Sequence, residues 1–174
     1  SDVCSSDLAK TVVTSCACCY HNLAVEYPKI LGELPFQVVH QTQIIAEAIR
    51  DGKIKPTKGV EGKVTYHDPC HMVRLGGKVY KEPREIIQSV PGIDYKDMHS
   101  TKRVTQCCGR NPVEQPELAM TTSKNRLQDV RDEGASTVVT ACSFCDWNLK
   151  RAAKNEGDES IKIVDINTFM LETL

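Results

Sequence analysis

At 174 residues, 40% of them apolar, the chain can bury a real core, and a formal charge of −1 excludes the basic footprint of a nucleic-acid or anionic-membrane binder. No apolar run approaches the roughly 20 residues that cross a bilayer, and no secretory h-region follows the N-terminus. Nine cysteines spread among helix and strand patterns point to metal or redox chemistry rather than a secreted disulfide framework.

Residues 1–8 match, in frame, the translation of a common sequencing-adapter tail; read as an artefact, they remove Cys4 and imply a chain cut short at its N-terminal side. The pattern then predicts a buried strand over 10–15 and a short helix over 19–27, stopped by Pro28. A strand over Phe36–His40 leads into a helix over Gln41–Arg50, whose apolar face is Ile44, Ile45, Ala48 and Ile49, with Gly52 suited to its end. Residues 52–62 have no period and read as a linker.

A strand over Lys63–His67 follows, then Asp68-Pro69-Cys70. Asp68 as N-cap and Pro69 at the first helical position would set Cys70 in a first helical turn, where the dipole favours a thiolate. Gly76-Gly77 end that turn, and a helix from Glu82-Pro83 to Val90 stops at Pro91-Gly92. A strand near Ile93–Met98 precedes Cys107-Cys108-Gly109. The longest helix covers 116–132, with Ala119, Leu127 and Val130 on one face. Alternating strands and helices predict an α/β fold with mainly parallel strands.

One unit occurs twice. Ala9-Lys-Thr-Val-Val-Thr-Ser-Cys16-Ala-Cys-Cys19-Tyr-His-Asn-Leu23 matches Ala135-Ser-Thr-Val-Val-Thr-Ala-Cys142-Ser-Phe-Cys145-Asp-Trp-Asn-Leu149 in register. The strand–helix pair after the first copy also recurs, as Ile161–Asp165 leading into 166–174. Residues 9–55 therefore read as the end of a first repeat truncated at its N-terminus, and 56–174 as a complete second one.

Within the second repeat, Cys70, Cys107-Cys108 and Cys142-x-x-Cys145 each lie at a strand end or loop mouth. Such places converge at the carboxyl edge of an open α/β sheet. Disulfides are disfavoured by the adjacent pair, whose α-carbons lie about 3.8 Å apart, below the usual bridge span. Zinc takes four ligands and leaves one thiol over. An iron–sulfur cluster shares several irons among soft thiolates, and is the favoured reading.

The order Cys70, Cys107-Cys108-Gly109, Cys142-x-x-Cys145 resembles the cysteine-rich CCG domain of heterodisulfide reductases, found also in iron–sulfur subunits of glycolate, lactate and glycerol-3-phosphate oxidising enzymes. Tyr66-His67-Asp68-Pro69-Cys70-His71, Arg74 and Pro83-Arg84 resemble the family's first segment, and Thr140 to Leu149 its last. The resemblance implies a non-cubane [4Fe-4S] cluster held by Cys70, Cys107, Cys108, Cys142 and Cys145, at which a disulfide is reduced. It implies that Cys16 and Cys19 close an incomplete first site, for zinc or a second cluster, with Cys18 a spare thiol. It also implies partner redox subunits (iron–sulfur, flavin or membrane cytochrome) and a cytoplasmic place, with any membrane association made through those partners. Arg110-Asn111-Pro112 departs from the family's glycine-rich turn, which bears on substrate more than on the cluster.

His67 and His71 flank Cys70 and are candidates for hydrogen bonds to cluster sulfur or for proton delivery; the competing reading is capping and solvation. Arg84 reads as an ion-pair residue, His21, His40 and His99 as structural or solvated, and Tyr66 and Trp147 as packing around the site. Two alternatives stand beside the disulfide-reducing subunit: an electron relay within a hydroxy-acid-oxidising complex, and a zinc-stabilised structural module.

Overall fold

The computed structural model describes residues 9–110 and 114–174. The eight N-terminal residues with Cys4, and Asn111-Pro112, lie outside the described residues. Strands β1 (Thr11–Thr14) and β2 (Gln37–His40) pair in parallel. Strands β3 (Lys63–His67), β4 (Asp94–Tyr95), β5 (Thr137–Thr140) and β6 (Lys162–Asp165) form a second, all-parallel sheet of order β4-β3-β5-β6. This is the expected α/β architecture.

The helices are α1 (Ala17–His21), α2 (Tyr27–Leu31), α3 (Gln41–Arg50), α4 (Cys70–Val73), α5 (Glu82–Gln88), α6 (Pro116–Asp132), α7 (Ser143–Glu156) and α8 (Ile166–Thr173). Val64, Tyr66, Val138 and Val139 of the central strands are sealed by Ile86, Ile87, Leu127, Leu149 and Phe169, all buried. Burying each such aliphatic side chain contributes about 1.5–3 kcal/mol, so this layer holds the strand ends that carry the cysteines. The β3–β5 register pairs His67 with Thr140, so the segments leading to Cys70 and Cys142 leave the sheet at one level.

The two Thr-Val-Val-Thr strands have the same sequence and different surroundings. Val139 of β5 lies between β3 and β6 and is 0% exposed, whereas Val13 of β1 is 53% exposed. Among the described residues, β1 has a strand on one side alone. Both partner strands end in a cap: His40 accepts from the Thr42 N–H before α3, and Asp165 from the Asn167 N–H before α8.

Three expectations are corrected. The first helix begins at Ala17 and does not stop at Pro28. A π turn over Asn22–Glu26 resets the register, so Pro28 falls within the opening turn of α2, where a missing N–H is tolerated. The strand near 93–98 shrinks to Asp94–Tyr95: beyond it the Lys96 N–H still reaches the Val64 carbonyl, but the Lys96 carbonyl is taken by the Thr65 hydroxyl. Asp68 does not cap α4: its carboxylate turns into the core toward Arg84, and Pro69 takes the N-cap position of that single turn.

Candidate metal centre

The five second-repeat cysteines come together. Strand β3 hands the chain through Asp68-Pro69 to Cys70 at the start of α4. A 3₁₀ turn over Lys102–Val104 leads to Cys107-Cys108-Gly109, and β5 delivers Cys142 and, one turn into α7, Cys145. Gly109 has φ +82°, and a β-carbon there would collide with the Ala119 carbonyl and Ser123, so only glycine lets α6 pack against this loop. The Ser123 hydroxyl donates to the Cys108 carbonyl at 2.7 Å, and Asn148 Nδ2 donates to the Gly109 carbonyl at 3.0 Å.

The thiols neighbour one another in an unbroken line: Cys70 with Cys107, Cys107 with Cys108, Cys108 with Cys145, and Cys145 with Cys142. Their acidities diverge along it, two thiols going down and three going up. Cys107 is held well below the ordinary thiol range by the Cys108 and Cys70 thiols, helped by the Gly109 and Arg110 N–H groups. Cys142 is brought down to about 6, first by Cys145 and then by the N–H groups of Cys145, Ala17 and Phe144. The other three thiols go up: Cys70 and Cys108, the latter to about 12, because of Cys107, and Cys145 because of Cys108 and Cys142. Five neighbouring thiols cannot all ionise without cations among them, and the set offers five soft donors that a metal centre could use.

Two histidines reach this array, each with an arginine behind it. His71 Nδ1 lies 3.5 Å from Cys70 Sγ, and its Nε2 accepts from Arg110 at 2.6 Å. His67 is fully buried, and one of its ring nitrogens and the Cys108 and Cys145 sulfurs all lie within 4.8 Å of one another. Its Nδ1 accepts from Arg126 Nε at 3.0 Å. Burial, then the Arg126 charge, takes the His67 pKa down to about 3.

The Cys70 segment is anchored from below. Arg84 donates to both Asp68 oxygens at 2.9 and 2.7 Å and to Asp97 at 2.9 Å. Asp68 also accepts from the Thr101 hydroxyl at 2.6 Å and the Lys102 N–H at 2.9 Å. Arg84 is thus the expected ion-pair residue, and Arg74 ties α4 to the Thr105 carbonyl at 3.1 Å. Tyr66 packs beneath Arg84, as expected. Trp147 does not pack around the site: it is half exposed, between Phe144 and Arg151, because its position on α7 faces outward. His40 is a buried cap and His99 is exposed; His21 pairs with Glu26 and meets the His71 ring edge-on.

Cys16 and Cys18 line a cavity of about 130 Å³ together with Cys70, Cys108, Cys142 and Cys145; Pro69, His71, Arg110 and Phe144 complete its wall. Cys19 touches Cys16. Cys16 of the first CxxC thus shares this opening with four of the five thiols.

A model of the cysteine-rich CCG domain matches residues 64–150, the stretch that holds all five thiols. The chain belongs to the CCG cysteine-rich domain family. One subunit of the dihydromethanophenazine:CoB–CoM heterodisulfide reductase of Methanosarcina barkeri is 34% identical over 174 residues, 95% of this chain and 41% of the relative. One subunit of the CoM/CoB fumarate reductase of Methanothermobacter marburgensis is 35% identical over 159 residues, 90% of this chain and 31% of the relative. A probable iron–sulfur-binding oxidoreductase of Bacillus subtilis is 27% identical over 175 residues, 95% of this chain and 24% of the relative. The CCG chain spans less than half the length of each of these relatives.

Sequence reasoning missed Arg126. It lies seven residues after Ala119 on the buried stripe of α6, and that spacing was the available signal. Among the described residues, no helix of the CCG chain is long and apolar enough to cross a membrane.

Proposed function

We propose that this chain is the cluster-bearing part of an iron–sulfur redox subunit, in which Cys70, Cys107, Cys108, Cys142 and Cys145 hold a non-cubane [4Fe-4S] cluster and a disulfide is reduced beside it. The unbroken line of five thiols carries the reading, since one zinc ion would leave a thiol over and soft thiolates suit several irons. The names of the relatives support it. Such a cluster, when bound, supplies electrons one at a time next to a substrate sulfur.

The remaining roles belong to side chains. Pro69 and Phe144 wall the opening and keep water from the reacting sulfurs. His71, donating from Nδ1 toward Cys70 and backed by Arg110, is placed to hand a proton to a leaving thiolate at the mouth. Residues 9–55 would be the end of one repeat and 56–174 a second, with Cys16 and Cys19 closing a site for zinc or another cluster. Electrons would come from a partner redox subunit.

Anaerobic reconstitution of the chain with iron and sulfide, with analysis of both and EPR of the product, tests the proposal. About four irons and four sulfides per chain are expected at the five-thiol site. Stoichiometric zinc with no sulfide would overturn it.

A further inference from the structure

The face of the five-thiol site turned to the core is closed by a pair that nothing so far explains. Arg126 is fully buried on α6, and so is His67 at the end of β3. An arginine reaches the interior only when held: Arg126 Nη1 pairs with Asp129 at 2.8 Å, Nη2 bonds Thr105 Oγ1 at 3.4 Å, and Nε donates to His67 Nδ1 at 3.0 Å. Guanidinium nitrogens are donors without exception. The Nδ1 that receives this bond therefore carries no proton, and a neutral ring must carry it on Nε2. His67 Nε2 is a buried atom with no hydrogen-bond partner among the described residues. One nitrogen of the ring and the Cys108 and Cys145 sulfurs lie within 4.8 Å of one another.

We infer that Arg126 is a positioning residue that fixes His67 with its proton on Nε2, leaving that unpartnered N–H as a donor for cluster sulfur beside Cys108 and Cys145 and never a metal ligand. The inference rests on the five-thiolate reading for its functional meaning and on the Arg126–His67 bond for its chemistry. A His67-Cys108-Cys145 metal site, which the spacing alone would permit, requires a free lone pair on Nε2, and Arg126 denies it. A hydrogen bond from the Nε2 proton to cluster sulfur stabilises the reduced, more electron-rich state and so raises the potential.

Long-range ¹H–¹⁵N NMR of the imidazoles in the metal-free chain reads the tautomer directly and needs no variant. A protonated Nε2 and a bare Nδ1 at His67 are expected; a proton on Nδ1 would overturn the inference. Arg126→Met should release the lone pair, so that Co(II) titration gives a mixed nitrogen–sulfur spectrum in place of the all-thiolate one. Arg126→Lys, which keeps a donor and a charge, should restore the all-thiolate spectrum.

In the reconstituted protein, Arg126→Met and His67→Leu should each make reduction at least tenfold less favourable, about 59 mV for a one-electron couple, by EPR-monitored titration. In the His67→Leu background, Arg126→Met should add less than it does alone, since part of its effect passes through the imidazole. Unchanged potentials in both single variants would refute the donor role. A chain that shows the Nε2 tautomer but takes up no iron and sulfide would refute the proposed function and leave the tautomer assignment standing.

Discussion

Replacing Arg84 by Met tests what holds the Cys70 segment in place. Arg84 has a side chain 9% exposed and pairs with Asp68, which is 0% exposed. The replacement strips the buried carboxylate of its two guanidinium bonds and leaves it the Thr101 hydroxyl and Lys102 N–H alone. Removing one member of a buried ion pair costs about 3–5 kcal/mol, chiefly through the uncompensated charge left behind. Urea unfolding of the metal-free chain at pH 7 should show a loss of that size, and Arg84→Met with Asp68→Leu should recover much of it.

The pH dependence has a definite sign. Burial alone would raise the Asp68 pKa, but the Arg84 guanidinium holds it below its ordinary value. A depressed pKa in the folded state gives stability that is present above the unfolded value of about 3.9 and is lost as pH falls through the folded one. Without Arg84 burial raises the Asp68 pKa, so the gap between wild type and Arg84→Met should be widest at neutral pH and close as the pH falls to about 4 and below. A loss under about 1 kcal/mol at pH 7, or a gap that widens in acid, would refute a charge-paired anchor.

Gly109→Ala should cost at least about 2 kcal/mol by the same unfolding assay, from a positive φ and a collision with the α6 backbone, and should lower iron uptake by displacing Cys108. Cys108→Ser should abolish or alter the EPR signal of the reconstituted chain, whereas Cys18→Ser, on the cavity wall but off the thiol line, should leave iron and sulfide content unchanged. Ile86→Ala, which removes a fully buried side chain under the central strands, should lower stability by about 2–5 kcal/mol without changing that signal.

The strands and the cysteine convergence were legible in sequence because each rests on a local pattern. An apolar β-branched run ending in a cysteine describes β5 and Cys142 with no reference to the rest of the chain. The helix from Pro116 to Asp132 and that from Gln41 to Arg50 match their expected ranges for the same reason. What escaped depends on partners far away in sequence. Asp68-Pro69 has the form of a helix start, yet the carboxylate answers to Arg84, sixteen residues on, and to the Thr101 and Lys102 segment beyond it. Pro28 has the form of a helix stop, and the π turn before it removes the clash that would have enforced one.

The two buried arginines explain why the neighbourhood of the cysteines was harder to read than the cysteines. Both satisfy the same physical demand, that a charge inside a protein have partners, and they meet it to different ends. Arg84 directs its donors at two carboxylates and so holds the backbone from which Cys70 springs. Arg126 gives one carboxylate a single bond and turns its Nε on an imidazole, where donor-only chemistry decides which nitrogen keeps a proton. A sequence pattern marks an arginine on an amphipathic helix as solvent-facing by default, and only the α6 stripe through Ala119, Ser123, Leu127 and Val130 argues otherwise for Arg126. The thiol spacing names the atoms that can bind metal, while the geometry behind them limits the ligands to sulfur.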